Sequence, residues 1–120
     1  MKFLEDNFSQ NLEISENIDI FDILKEIKNL TNPDKLILFH RKVGSSKKTL
    51  SFKICIILNI KNKLEIEKNI YKNIDSDIPF DVIIYTQEEW ETLKSKKHSF
   101  VNKILKTGIL IDGSQEQTHQ

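Results

Sequence analysis

The sequence predicts an α/β fold with α+β character, a small mixed β-sheet covered by helices. Three observations carry that expectation. Strand-like apolar runs alternate with segments of helical periodicity, the pattern of a sheet flanked by helices. The first two apolar runs, Leu36–Phe39 and Phe52–Leu58, are too close in sequence for a crossover helix, so they should lie antiparallel. With 120 residues, the chain can bury one core but not two.

Residues 1–17 are polar with scattered apolar side chains and read as an N-terminal arm or short helix. The domain should span 18–112. Ile20, Phe21, Ile23, Leu24, Ile27 and Leu30 then recur at helical spacing. Thr31-Asn32-Pro33 ends that helix, because the residue before proline avoids helical backbone angles. Leu36–Phe39 reads as a short buried strand, and His40–Thr49 as a loop with room for a helical turn. Phe52–Leu58 is dense in β-branched Ile and reads as a central strand. Leu64–Ile74 puts Ile66, Ile70, Tyr71 and Ile74 on one helical face.

Asp75–Pro79 reads as a turn and Phe80–Tyr85 as the third strand. Thr86, with Glu89 three residues on, is a capping box that starts a helix, with Trp90 and Leu93 as its apolar face. Ser99 starts another, carrying Phe100, Val101, Ile104 and Leu105, and Gly108 stops it. Ile109–Ile111 is a candidate final strand. Residues 113–120 read as a polar, disordered tail.

The composition, 30% charged and 38% hydrophobic, is that of a water-soluble globular domain. No apolar run approaches the roughly 20 residues of a membrane helix. The start, MKFLEDNFSQ, lacks the apolar stretch of a secretory signal, so a cytoplasmic location is expected. One Cys excludes an internal disulfide, and Cys55, among Ile54, Ile56 and Ile57, reads as a small buried hydrophobe. His40, His98 and His119 have no metal-ligand spacing, and no metal site is expected. The absence of Ala beside abundant Ile, Lys and Asn is an AT-rich coding bias, which weakens any argument from Lys alone. The single arginine, Arg41, is harder to attribute to that bias.

The net charge of zero conceals a strong asymmetry. Residues 35–64 carry seven Lys, one Arg and no acid, whereas 1–34 and 65–120 are acidic. Such an island suits an anion or an acidic partner. Its densest part holds His40, Arg41, Lys42, Ser45, Ser46, Lys47 and Lys48. GSSKKT lacks the first Gly and the GK[ST] spacing of a P-loop. No aromatic is interleaved with these basic residues, which argues against nucleic acid.

From Asp34 to Gly108, the chain resembles the minimal nucleotidyltransferase domain of the DNA polymerase β superfamily. That family has an apolar strand ending LFGS, a small basic loop, an Asp-hydrophobic-Asp pair opening the next strand, and a third Asp on a later strand. Here Leu38-Phe39 is followed by His40-Arg41 in place of Gly-Ser, then Lys42-Val43-Gly44. The acidic pair falls on Ser51-Phe52-Lys53, and the third acid on Asp81 within PFDVIIYTQEEW. SFVNKILKTGILID is similar to the close of such domains.

The resemblance implies a nucleotidyltransferase-like fold with a degenerate site, a pseudoenzyme. Nucleotidyl transfer uses two Mg²⁺ held by clustered carboxylates, and residues i and i+2 of a strand can share them. Ser51 is a weak neutral ligand, and the Lys53 ammonium would repel a cation. No catalytic residue and no cofactor is then expected. A Lys53–Asp81 ion pair in place of the lost metal is the expected local outcome. The resemblance also implies a cytoplasmic, bacterial, antitoxin-like protein that binds a helical HEPN-type partner, while an unpaired sheet edge or an apolar helix face would instead make a homodimer. The alternatives are an active enzyme using Mg²⁺ and NTP, or a nucleotide- or nucleic-acid-binding module built on 41–48.

Overall fold

A computed structural model of the chain describes residues 2–3 and 18–113. The elements are β1 (Lys2–Phe3), α1 (Ile18–Thr31), β2 (Lys35–Val43), β3 (Thr49–Ile57), α2 (Lys63–Asn73), β4 (Phe80–Tyr85), α3 (Gln87–Lys94), α4 (Phe100–Thr107) and β5 (Ile109–Gly113). The strands form one sheet in the order β1-β5-β2-β3-β4. β2 pairs antiparallel with β3 and β5, while β3–β4 and β1–β5 are parallel. The mixed, helix-covered sheet expected from the sequence is the observed fold.

Both faces of the sheet are covered, which explains why β3 reads as an almost unbroken apolar run. On one face, Ile20, Leu24 and Ile27 of α1 and Ile70 of α2 pack on Leu36, Leu38, Phe52, Ile54 and Ile56. On the other, Trp90 of α3 and Val101 and Ile104 of α4 pack on Ile37, Cys55, Ile57 and Leu110. Residue parity along β2 and β3 decides which of the two clusters each side chain joins, so the sheet carries a core layer on each face where the chain length predicted one core.

Local signals fix the helix ends. Asn32 takes a left-handed φ of 46°, which Asn tolerates, and its N–H bonds to the Lys28 carbonyl at 2.8 Å. The Thr86 capping box forms as expected. Ser99 accepts from the Asn102 N–H at the start of α4. After α4, a Cβ at Gly108 would lie 2.6 Å from the Ile104 carbonyl and 2.7 Å from Ile37 Cγ2, so only Gly fits between helix and strand.

Several boundaries differ from the sequence expectation. The first two strands run to Val43 and from Thr49, so half of His40–Thr49 is strand, and the rest is a tight turn with no helical turn. The β2 arm His40-Arg41-Lys42 offers no apolar residue to a periodicity search, whereas Thr49–Ile54 does alternate polar with apolar and belongs to the strand on that pattern. Gly113, assigned to the tail, closes β5. Apart from Lys2 and Phe3, the expected arm lies outside the described residues, as do residues 114–120. Tyr71, expected inside α2's apolar face, is 45% exposed. Its hydroxyl accepts from the Val82 N–H of edge strand β4 at 3.1 Å and blocks part of that edge.

The β2–β3 turn is tight. Gly44 N–H bonds to Lys48 O at 3.0 Å, and Lys47 N–H to Gly44 O at 2.9 Å. Lys47 sits at φ 65°, a left-handed conformation that disfavours a side chain by about 1–2 kcal/mol. Lys47→Gly should relieve that strain, offset partly by about 0.4–1 kcal/mol from a floppier unfolded chain. The expected net gain is about 0.5–1 kcal/mol, read as a higher melting temperature.

Candidate functional site

The three positions matching the family's acids are brought together. Ser51 and Lys53 lie at i and i+2 on β3, on the face shared with Cys55 and Ile57. Asp81 on β4 is the direct register neighbour of Lys53. No Lys53–Asp81 ion pair forms among the described residues, contrary to expectation. Both side chains are exposed, so water solvates each charge, and a surface pair worth about 0–1 kcal/mol does not repay ordering a long Lys.

This donor set does not fit the Mg²⁺ pair that the resemblance implies. It offers one carboxylate, one hydroxyl and one ammonium. No cluster of three or more His, Cys, Asp or Glu among the described residues could hold a metal ion.

A β-bulge shapes the surface beside Lys53. Leu38 pairs with Ile54 and His40 with Lys53, so Phe39 is the extra residue of β2. The bulge turns both Phe39 and His40 toward α4. The Phe39 ring meets Phe100 edge to face, with centroids 5.4 Å apart and planes at 88°. A cleft of about 270 Å³ lies between β2–β3 and α4, lined by Phe39, His40, Lys53, Phe100, Lys103, Ile104 and Thr107. A second cleft of about 370 Å³ shares Phe100 and Lys103 and is otherwise lined by residues from Lys97 to Lys106. Phe100, expected on the buried face of its helix, is 46% exposed.

Arg41 faces the opposite way, beside the start of α1. Its Nε donates to Thr49 Oγ1 at 2.6 Å. The Thr49 hydroxyl donates to Asp19 Oδ1 at 2.8 Å, and the Thr49 N–H to Asp19 Oδ2 at 2.6 Å. The guanidinium also sits 3.6 Å from Asp19 Oδ1, with its side chain 11% exposed. The only arginine is thus an internal tie between α1 and the hairpin. Lys42, Ser45, Ser46, Lys47 and Lys48 are exposed at the hairpin end. The N–H groups of Gly44 and Lys47 are used inside the turn.

The basic island is therefore not one surface. Arg41 is structural. Lys63 Nζ bonds both Glu89 oxygens at 2.9 Å. Lys42, Lys47 and Lys48 flank the turn, and Lys53 alone reaches the cleft. Sequence reading missed Asp19, Thr49, Phe39, Phe100 and Lys103. The 30-residue separation of Asp19 from Thr49 has no sequence signature. Burial pushes the Cys55 thiol up to about 12, which removes it as a nucleophile.

The Glu89 carboxyl is held below the usual range, first by the hydrogen bond from Lys63 and then by the Thr86 N–H. A carboxyl with a lowered folded pKa stabilises the fold above its unfolded value, about 4.3, and that contribution is lost as pH falls through the folded value. Stability should therefore drop in acid more steeply for the native chain than for Glu89→Gln. Thermal melts across the acid range measure the two slopes.

No family model, curated protein or solved structure matches this chain. Among the described residues, no helix is long and apolar enough to cross a membrane.

Proposed function

We propose that this chain is a nucleotidyltransferase-like scaffold that lacks metal-dependent catalysis and acts by binding a protein partner. The observation that supports this most is the convergence of Ser51, Lys53 and Asp81 on one sheet face. Positions chosen only by their match to the family's acids prove to be neighbours, and the chemistry they carry repels a divalent cation. The lysine ammonium would stand among the atoms meant to hold Mg²⁺. The resemblance points to a helical HEPN-type partner, with a second copy of this chain as the other candidate.

Titration with ATP, with and without Mg²⁺, while following thermal stability tests the loss of catalysis. No Mg²⁺-dependent rise in melting temperature is expected. Such a rise would overturn the reading in favour of an active enzyme. Ser51→Asp combined with Lys53→Asp should create Mg²⁺ binding, detected by calorimetry. A double variant that folds, by circular dichroism, yet binds no Mg²⁺ would count against the alignment itself. Partner binding is tested by co-expression with the product of a neighbouring open reading frame that encodes a small helical protein. A stable complex is expected on size exclusion. A monomer that elutes alone would overturn that part.

A further inference from the structure

The two clefts beside α4 meet at an exposed aromatic ring. Phe100 lines both, and the Phe39 ring packs against it with the two planes at 88°. Phe100 and Lys103 are three residues apart on α4, so they share a helix face about 4.5 Å apart along the axis. Lys53 flanks the ring in the smaller cleft, and Lys97 and Lys106 in the larger. His40 and His98 add two further nitrogen-bearing rings. Among the described residues, no carboxylate lines either cleft. Asp81, beside Lys53 in register, is the nearest acid along β4.

We propose that this trough binds single-stranded nucleic acid, with a base stacked on Phe100 and backbone phosphates on Lys53, Lys97, Lys103 and Lys106. Sequence-tolerant strand binding needs a solvent-exposed ring and cations spread along a groove. Residues 41–48 hold cations without a ring, whereas the fold assembles both from β2, β3 and α4. An acidic protein segment would also meet the lysines. However, its anchoring side chain needs an apolar hole, and here the apolar element is a half-exposed ring. A duplex is a poorer fit, because its bases are already stacked. This binding is separate from partner docking and does not depend on it.

The test is fluorescence anisotropy with labelled oligouridylate and oligothymidylate of about ten nucleotides, and polyglutamate as competitor. Both oligonucleotides should bind at low salt. The log–log salt dependence should have a slope of about −2 to −3, for four phosphate contacts at about −0.7 each. Phe100→Ala should weaken binding about tenfold, and Phe100→Tyr should retain it. Lys103→Glu should weaken it further and flatten the salt slope. Phe100 and Lys103 are surface positions, and unchanged melting curves establish that the variants fold. Absence of binding at low salt overturns the proposal. So does full competition by polyglutamate together with unchanged affinity in Phe100→Ala, which would assign the trough to an acidic protein.

Discussion

Asp19→Ala should lower stability by about 2–3 kcal/mol, more than an ordinary surface substitution. The carboxylate accepts two hydrogen bonds from Thr49 and lies 3.6 Å from a guanidinium nitrogen that has no hydrogen-bond partner among the described residues. Removing it orphans the Thr49 N–H and leaves Arg41 charged in a pocket where its side chain is only 11% exposed. Partial exposure of Asp19, at 31%, keeps the loss below that of a fully buried pair. The variant also separates two causes. If the orphaned charge dominates, adding Arg41→Met to Asp19→Ala should restore part of the loss. If the carboxylate acts mainly by fixing the Thr49 backbone, the second substitution should restore nothing. Chemical denaturation of the two single variants and the double variant gives the coupling directly.

How much of this was legible in the sequence depended on how local each signal was. The capping box at Thr86 and Glu89, the stop at Gly108 and the β-branched run of β3 are read within a few residues; the first two fall where expected, and the run lies inside a strand that starts three residues earlier, at Thr49, and ends at Ile57. The mixed sheet followed from one short connection. Signals that need the third dimension were lost. Arg41 looked like an anion ligand because its neighbours in sequence are Lys and Ser, yet its partner Asp19 comes from a helix before the sheet. Phe100 looked like core because it opens an apolar helical pattern, but it is 46% exposed with Phe39 against its ring. Tyr71 fits an apolar face by spacing, yet its hydroxyl serves the β4 edge. In each case the composition of a segment was read correctly and its neighbours were not.

The same contrast bears on function. Ser51 and Lys53 share a face because they stand two apart on one strand, and the parallel register with β4 adds Asp81 beside Lys53, which spacing alone did not require. The basic island instead divides among a structural tie, an ion pair with Glu89, an exposed turn and one cleft lysine. Substitutions at Ser51 and Lys53 leave the core undisturbed, because neither side chain is buried.

The layer that carries the trough depends on one side chain. Trp90→Ala should cost about 3–5 kcal/mol, the range for emptying a large buried aromatic site. Trp90 is fully buried among Ile37, Cys55, Ile57, Val101 and Ile104, with Tyr85 6.1 Å away between ring centroids. α3 and α4 have eight residues each, too few to hold helical structure without tertiary packing. Trp90→Phe should be far milder, at about 1–2 kcal/mol. It leaves a smaller void, and it also removes the indole Nε1–H, which is buried without a hydrogen-bond partner among the described residues. Urea titrations should therefore rank native above Trp90→Phe and Trp90→Phe well above Trp90→Ala. If Ala and Phe were equally damaging, the indole N–H would have to make an essential hydrogen bond, and the packing account of this layer would fail. Because α4 supplies Phe100 and Lys103, Trp90→Ala should also loosen the trough, whereas Asp19→Ala, acting on the opposite face, should destabilise the fold and leave the trough's geometry intact in the folded molecules.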